Sequence, residues 1–195
     1  MIKLYCIKIN DCNKSEFSDI MSSRYRETNS NAISNFAWYC LEDILFKEYH
    51  IKVTKEMISY NEFGKPYLKN NEVYFNISHC DLYVLIGISD YEIGVDIESK
   101  VDINKANKLI QKFSLDVIEE YNQSDCKEEY FSKKWVLLEA YSKMLGTGIS
   151  FNLMKTLKLS SEEIFTFYDK DNGKKYYCVA INNINEKIGE MEYVL

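Results

Sequence analysis

Gly94-Val95-Asp96-Ile97-Glu98 alternates apolar and acidic side chains, the period-two pattern of a strand with one face in the core and the other open. Val95 and Ile97 then point inward, and Asp96 and Glu98 share the opposite face. Two like-facing carboxylates suit a hard divalent cation such as Mg2+, which binds through a few carboxylates, retained waters and phosphate oxygens. The same alternation also describes an ordinary half-exposed strand with an acidic outer face. Residues elsewhere in the chain have to decide between the two.

Upstream, runs at 73–78 and 83–89 read as strands, with His79-Cys80-Asp81 as their hairpin connection. Gly64-Lys65-Pro66 is a turn signal, and residues 1–10 alternate like a strand. From 28 to 49, Ile33, Phe36, Ala37, Cys40, Leu41, Ile44 and Leu45 recur at helical spacing behind cap-forming Thr28, Asn29 and Ser30. Downstream, 103–122 is helix-rich and 128–145 is an amphipathic helix with Phe131, Trp135, Leu138 and Leu145 on its apolar stripe. Gly146 stands where that helix should stop. Strands follow at 157–159, 164–168 and 176–181, with a hairpin turn at Asp171-Asn172-Gly173. The expected fold is α+β. It has two similar halves in pseudo-twofold arrangement, 1–92 and 93–195, each a small antiparallel sheet packed against a long helix.

With 195 residues, 46% hydrophobic and 28% charged, the chain is ordinary for a globular protein. No apolar run is long enough to span a membrane, and the N-terminus does not read as a signal peptide. The expectation is a soluble, cytoplasmic monomer without membrane association. A net charge of −6 argues against a nucleic-acid partner bound through a broad basic surface. The six cysteines are scattered and there are two histidines, His50 and His79. Reduced thiols therefore fit better than a zinc site or a disulfide framework.

Two further segments carry chemistry. Phe75-Asn76-Ile77-Ser78-His79 precedes the acidic strand, and 135–143 (W-V-L-L-E-A-Y-S-K) follows it. Glu139 and Lys143 are i and i+4 on the second helix, which by itself describes a surface ion pair. Glu139 borders the apolar stripe, so it can face a cleft. Ser78 lacks a G-x-S-x-G elbow and Gly146-Thr147-Gly148 is not a P-loop. The set is an inventory for one hard cation and a phosphate-rich ligand.

F-G-K-P, F-N-I-S-H, G-V-D-I-E and W-x-x-x-E-A-Y-x-K, in that order, resemble the signature of the 4′-phosphopantetheinyl transferases. The likeness runs from about Arg24 to Ile149, and the length is similar to the monomeric, surfactin-synthetase-activating type. The resemblance implies that Asp96, Glu98 and Glu139 hold Mg2+ with the pyrophosphate of coenzyme A. It places Lys65, Ser78 and His79 at the nucleotide end of coenzyme A and Lys143 on its phosphates, and it makes Glu139 and Lys143 catalytic. It implies transfer of the phosphopantetheine arm to a serine of an acyl or peptidyl carrier protein, releasing adenosine 3′,5′-bisphosphate.

Two positions depart from the signature. Leu138 stands where a lysine is expected and Ile33 where an arginine is expected. The loss points to Lys133, Lys134, Arg24 or Arg26 as substitutes, or to an impaired homologue that only binds coenzyme A or a carrier. A Mg2+-dependent phosphohydrolase is the other alternative. Reinstating a lysine at 138 is expected to raise kcat/KM for coenzyme A, unless Leu138 is core.

Overall fold

The structure is a computed structural model that describes residues 2–9, 32–69, 73–156, 164–168, 175–181 and 188–192. Its elements run β1 (Ile2–Lys8), α1 (Ala32–Tyr49), β2 (Ile58–Tyr60), β3 (Pro66–Leu68), β4 (Tyr74–Cys80), β5 (Tyr83–Ser89) and β6 (Ile93–Ser99). The chain continues through α2 (Ile103–Ile110), α3 (Leu115–Gln123), α4 (Lys127–Leu145), α5 (Phe151–Thr156), β7 (Ile164–Tyr168), β8 (Lys175–Ile181) and β9 (Ile188–Glu192). The fold is α+β.

One sheet has the order β4-β5-β1-β9 and a second has β6-β8-β7, beside the small β2-β3 ribbon. The ladders are antiparallel except for β9, which runs parallel to β1. The late strand β9 therefore lies in the same sheet as the chain's first strand. Among the described residues, no helix is long and apolar enough to cross a membrane.

Alternation explains the layering. Val84, Ile86 and Ile88 of β5 face α1, whose stripe Phe36, Ala37, Cys40, Leu41, Ile44 and Leu45 is buried against them. Leu85, with Ile2 and Leu4 of β1, turns the other way and meets Ile93, Val95, Ile97 and Val179 of the second sheet. The outer face of the second sheet packs on α4, where Val136, Leu137, Ala140 and Met144 meet Tyr176, Cys178 and Ala180. The order of layers is helix, sheet, sheet, helix. Burial of these apolar faces, at about 25 cal/mol per Å2, is the main stabilising term.

Helix α4 is apolar on a second side as well. Phe131 and Leu138 pack with Val101, Ala106, Ile110 and Phe113, and Trp135 lies against them. Leu138 is 0% exposed, so it is a core residue between α4, α2 and α3. This corrects the expectation that a lysine there would reach a phosphate. Leu145 is 47% exposed and leaves the expected stripe, because the helix ends one residue later at Gly146 in the left-handed conformation (φ 66).

Smaller corrections concern turns and ends. His79 and Cys80 belong to the ladder, paired with Val84 and Tyr83. The hairpin turn is Asp81-Leu82, with Asp81 at φ 52, a conformation that aspartate tolerates better than most residues. Helix α5 and the β2-β3 ribbon were not anticipated. The proposed caps Thr28, Asn29 and Ser30, the strand at 157–159 and the turn at Asp171-Asn172-Gly173 lie outside the described residues, as do Arg24 and Arg26.

Candidate active site

Strand β6 is the edge of its sheet, and β4 is the edge of the other. An edge strand carries backbone N–H groups that the ladder does not use. Side chains of β4 take two of them: the Val95 N–H donates to Asn76 Oδ1 at 2.9 Å and the Ile97 N–H to Ser78 Oγ at 3.3 Å. Asn76 and Ser78 are 5% exposed. The F-N-I-S segment therefore joins the two sheets through side chain-to-backbone bonds.

On β6, Gly94, Asp96 and Glu98 face α4. Gly94 lets the helix come close: a Cβ there would lie 2.0 Å from the Ala140 carbonyl oxygen and 2.3 Å from the Met144 nitrogen. That approach brings Lys143 Nζ to 2.6 Å from Asp96 Oδ1 and 3.0 Å from Ser78 Oγ. Ser78 Oγ in turn donates to Asp96 Oδ1 at 2.8 Å. Asp96 is 3% exposed, and its second oxygen, Oδ2, is buried with no hydrogen-bond partner. A buried, unsatisfied carboxylate oxygen is costly unless a cation or donor completes it.

Glu98 and Glu139 complete an acidic patch. Burial, and then the negative charge of Asp96, push both carboxyls above the usual carboxylate range. Lys143 and Lys105 oppose that rise at each of them. Among the described residues no three His, Cys, Asp or Glu side chains converge as a ready metal cluster. The donor set still fits a hard cation: it is all oxygen, its carboxylates repel one another, and one oxygen has no partner.

Lys105 was not anticipated from the sequence. It lies in the first turn of α2, whose cap Asp102 accepts from the backbone of Asn104 and Lys105, and its ammonium sits 5.9 Å from the centre of the Trp135 ring. Its only sequence signal is a lysine opening the helix after the acidic strand. The suggested substitutes Lys133 and Lys134 are instead paired with Glu129 and Glu120.

The cleft beside the acidic patch has a volume of about 330 Å3 and is walled by Phe63, Gly64, Lys65, Ile77, Glu139 and Lys143, among others. A neighbouring cleft of about 370 Å3 shares Lys65, Pro66 and Gly146 with it. Lys65 Nζ donates to Glu92 Oε2 at 2.5 Å and to the Met144 carbonyl at 2.9 Å. Asn61 ties the same turn to the end of α4 through its 2.7 Å bond to the Gly146 carbonyl. His79, at the outer end of β4, is exposed. Partial desolvation, and then the Lys143 charge, hold its pKa below the ordinary histidine value.

The structure thus brings Ser78, Asp96, Glu98, Glu139 and Lys143 into one electrostatic cluster, places Lys65 on the adjoining wall, and leaves His79 at the solvent edge. The site is therefore an edge strand bearing carboxylates, a partly buried lysine bonded to one of them, and a cleft beside them. Residues 92–193 match the family model of the 4′-phosphopantetheinyl transferase superfamily, and the chain belongs to that superfamily.

Individual relatives agree. The chain is 30% identical over 156 residues to the 4′-phosphopantetheinyl transferase gsp of Aneurinibacillus migulanus, covering 71% of this chain and 65% of that protein. It is 26% identical over 117 residues to the 4′-phosphopantetheinyl transferase Sfp of Bacillus subtilis, covering 58% and 51%. A holo-[acyl-carrier-protein] synthase of Wolbachia pipientis is 31% identical over 81 residues, covering 36% and 65%. The chain spans between half and two thirds of the length of these relatives.

Proposed function

We propose that this chain transfers the 4′-phosphopantetheine arm of coenzyme A to a serine hydroxyl of an acyl or peptidyl carrier protein, with Mg2+, releasing adenosine 3′,5′-bisphosphate. The observation that carries the reading is the convergence of Asp96, Glu98, Glu139 and Lys143 beside a cleft, with Lys143 bonded to Asp96 Oδ1 and Asp96 Oδ2 buried and unpartnered. The superfamily membership and the names of the relatives support it.

Asp96, Glu98 and Glu139 would hold Mg2+, which when bound neutralises charge on the pyrophosphate oxygens. The rest of the work belongs to the chain. Lys143, fixed by Asp96 and Ser78, offers its remaining ammonium proton to a phosphate oxygen of coenzyme A. The carrier serine oxygen attacks the phosphorus next to the pantetheine arm. The bond from that phosphorus to the bridging oxygen breaks, and adenosine 3′,5′-bisphosphate departs with the electron pair. Glu139, which lines the cleft, takes the serine proton.

Lys65 and His79 bind the nucleotide end of coenzyme A. For Lys65 this means exchanging Glu92 for an anionic group of the ligand. Ser78 lies just behind this wall, 5% exposed, with its hydroxyl turned inward to Asp96. On this reading 1–92 is the coenzyme A side and 93–195 the metal side of a monomer working in the cytoplasm.

The test is mass spectrometry of an apo carrier protein incubated with the chain, coenzyme A and Mg2+. The expected result is a gain of one phosphopantetheine arm, abolished by EDTA and by Asp96→Ala. A carrier left unmodified, or modification indifferent to both EDTA and Asp96→Ala, overturns the reading.

A further inference from the structure

We propose that Ser78 is a positioning residue that commits one oxygen of Asp96 to the protein and leaves the other for the cation. A serine hydroxyl has one donor and two acceptor sites. In this structure all three are used. The hydroxyl donates to Asp96 Oδ1 (2.8 Å) and accepts from the Ile97 N–H (3.3 Å) and from Lys143 Nζ (3.0 Å). The residue is 5% exposed, so a phosphate could reach it only by breaking one of these bonds inside the core.

Asp96 mirrors that asymmetry. Oδ1 accepts from both Ser78 and Lys143, whereas Oδ2 is buried with no partner. A carboxylate free to rotate would share its donors between its oxygens. Here Ser78, itself anchored to the β6 backbone at Ile97, holds the carboxylate in one orientation. Groups that orient a ligand from behind in this way commonly change metal affinity tenfold or more when removed.

The inference rests on Asp96 being a cation ligand, and the experiment keeps the two apart. The probe is Mn2+ in place of Mg2+, titrated by its EPR signal into the full chain, alone and with coenzyme A. Coenzyme A affinity is also measured without metal. Ser78→Ala is expected to weaken Mn2+ binding by about tenfold or more, in the absence of coenzyme A as well as in its presence. The isosteric pair Ser78→Thr and Ser78→Val controls for packing: threonine keeps the hydroxyl and is expected to retain Mn2+ affinity, whereas valine should lose it like alanine.

Equal Mn2+ affinity in the valine, alanine and wild-type chains overturns the inference while leaving the proposed metal site standing. So does a loss of metal-free coenzyme A affinity with Mn2+ binding intact, which would make Ser78 a coenzyme A contact. A wild-type chain that binds no Mn2+ with or without coenzyme A removes the premise itself. If alanine at 78 does not fold, the comparison of threonine with valine decides.

Discussion

Gly94→Ala sets two physical effects against each other at the joint on which the site depends. Backbone propensity favours the change, since glycine within a strand costs roughly 0.5–1 kcal/mol relative to alanine. Contact opposes it. The new Cβ would sit 2.0 Å from the Ala140 oxygen, 2.3 Å from the Met144 nitrogen and 2.9 Å from the Met144 Cα. All three are backbone atoms of α4, so no rotamer change relieves the overlap, and the helix has to retreat from β6 by about 1 Å or more to restore ordinary packing. Overpacking a well-filled core costs about 1–3 kcal/mol when side chains can adjust. With backbone on both sides the expected net loss is about 3 kcal/mol, a large fraction of a typical stability of about 5–15 kcal/mol.

The same retreat acts on the chemistry. The 2.6 Å Lys143–Asp96 and 3.0 Å Lys143–Ser78 contacts bridge α4 to the strands, and a shift of this size takes both beyond good hydrogen-bond length. Misplacing reacting groups by about 1 Å can cost on the order of a hundredfold in rate. Urea unfolding gives the first number, and carrier-modification rate per folded molecule gives the second. A variant as stable as the parent to within about 0.5 kcal/mol refutes the packing argument, since surface-type changes fall in that range. A destabilised variant with full activity per folded molecule would show that β6 and α4 keep their relation at the site, and would refute the coupling of fold to chemistry.

Two further outcomes follow from residues already placed. Leu138→Lys should be destabilised by at least about 3 kcal/mol, because a fully buried leucine is lost and a charge enters the core beside Phe131; a stable variant with higher kcat/KM for coenzyme A would restore the phosphate-contact reading. His79 has its pKa held below the ordinary value of about 6.5, by partial desolvation and then by Lys143. The unfolded chain therefore binds more protons than the folded one just below that value, and His79's stabilising contribution, fully present above about pH 6.5, is lost as pH falls through the folded pKa. His79→Gln should flatten that part of the plot of urea midpoint against pH; identical slopes, or an imidazole titrating above the ordinary value by NMR, would reject it.

Much of the site could be read along the chain because its determinants are local. The parity of Asp96 and Glu98 against Val95 and Ile97 is a property of any strand, and the stripe of α1 is a property of any amphipathic helix. Gly146 marks the end of α4 by its freedom at positive φ. These features, with the four ordered motifs, were enough to indicate the fold class and the family.

What they could not indicate was which surfaces meet. Leu138 lies on a helix buried on two sides, and a periodic pattern does not reveal how many neighbours a helix has. Lys105 acquires its place near Glu98 and Glu139 only when α2 packs on α4, and Ser78 can orient Asp96 only because two edge strands lie side by side. The pairing of β9 with β1 joins residues far apart in the chain, for which no short-range pattern exists. Periodicity follows from the backbone geometry of a single element, so the amino-acid sequence alone determined which side chains share a face. The distances that turn Asp96, Ser78 and Lys143 into one hydrogen-bonded unit depend on packing between elements, including the missing Cβ at Gly94, and these the tertiary structure alone decided.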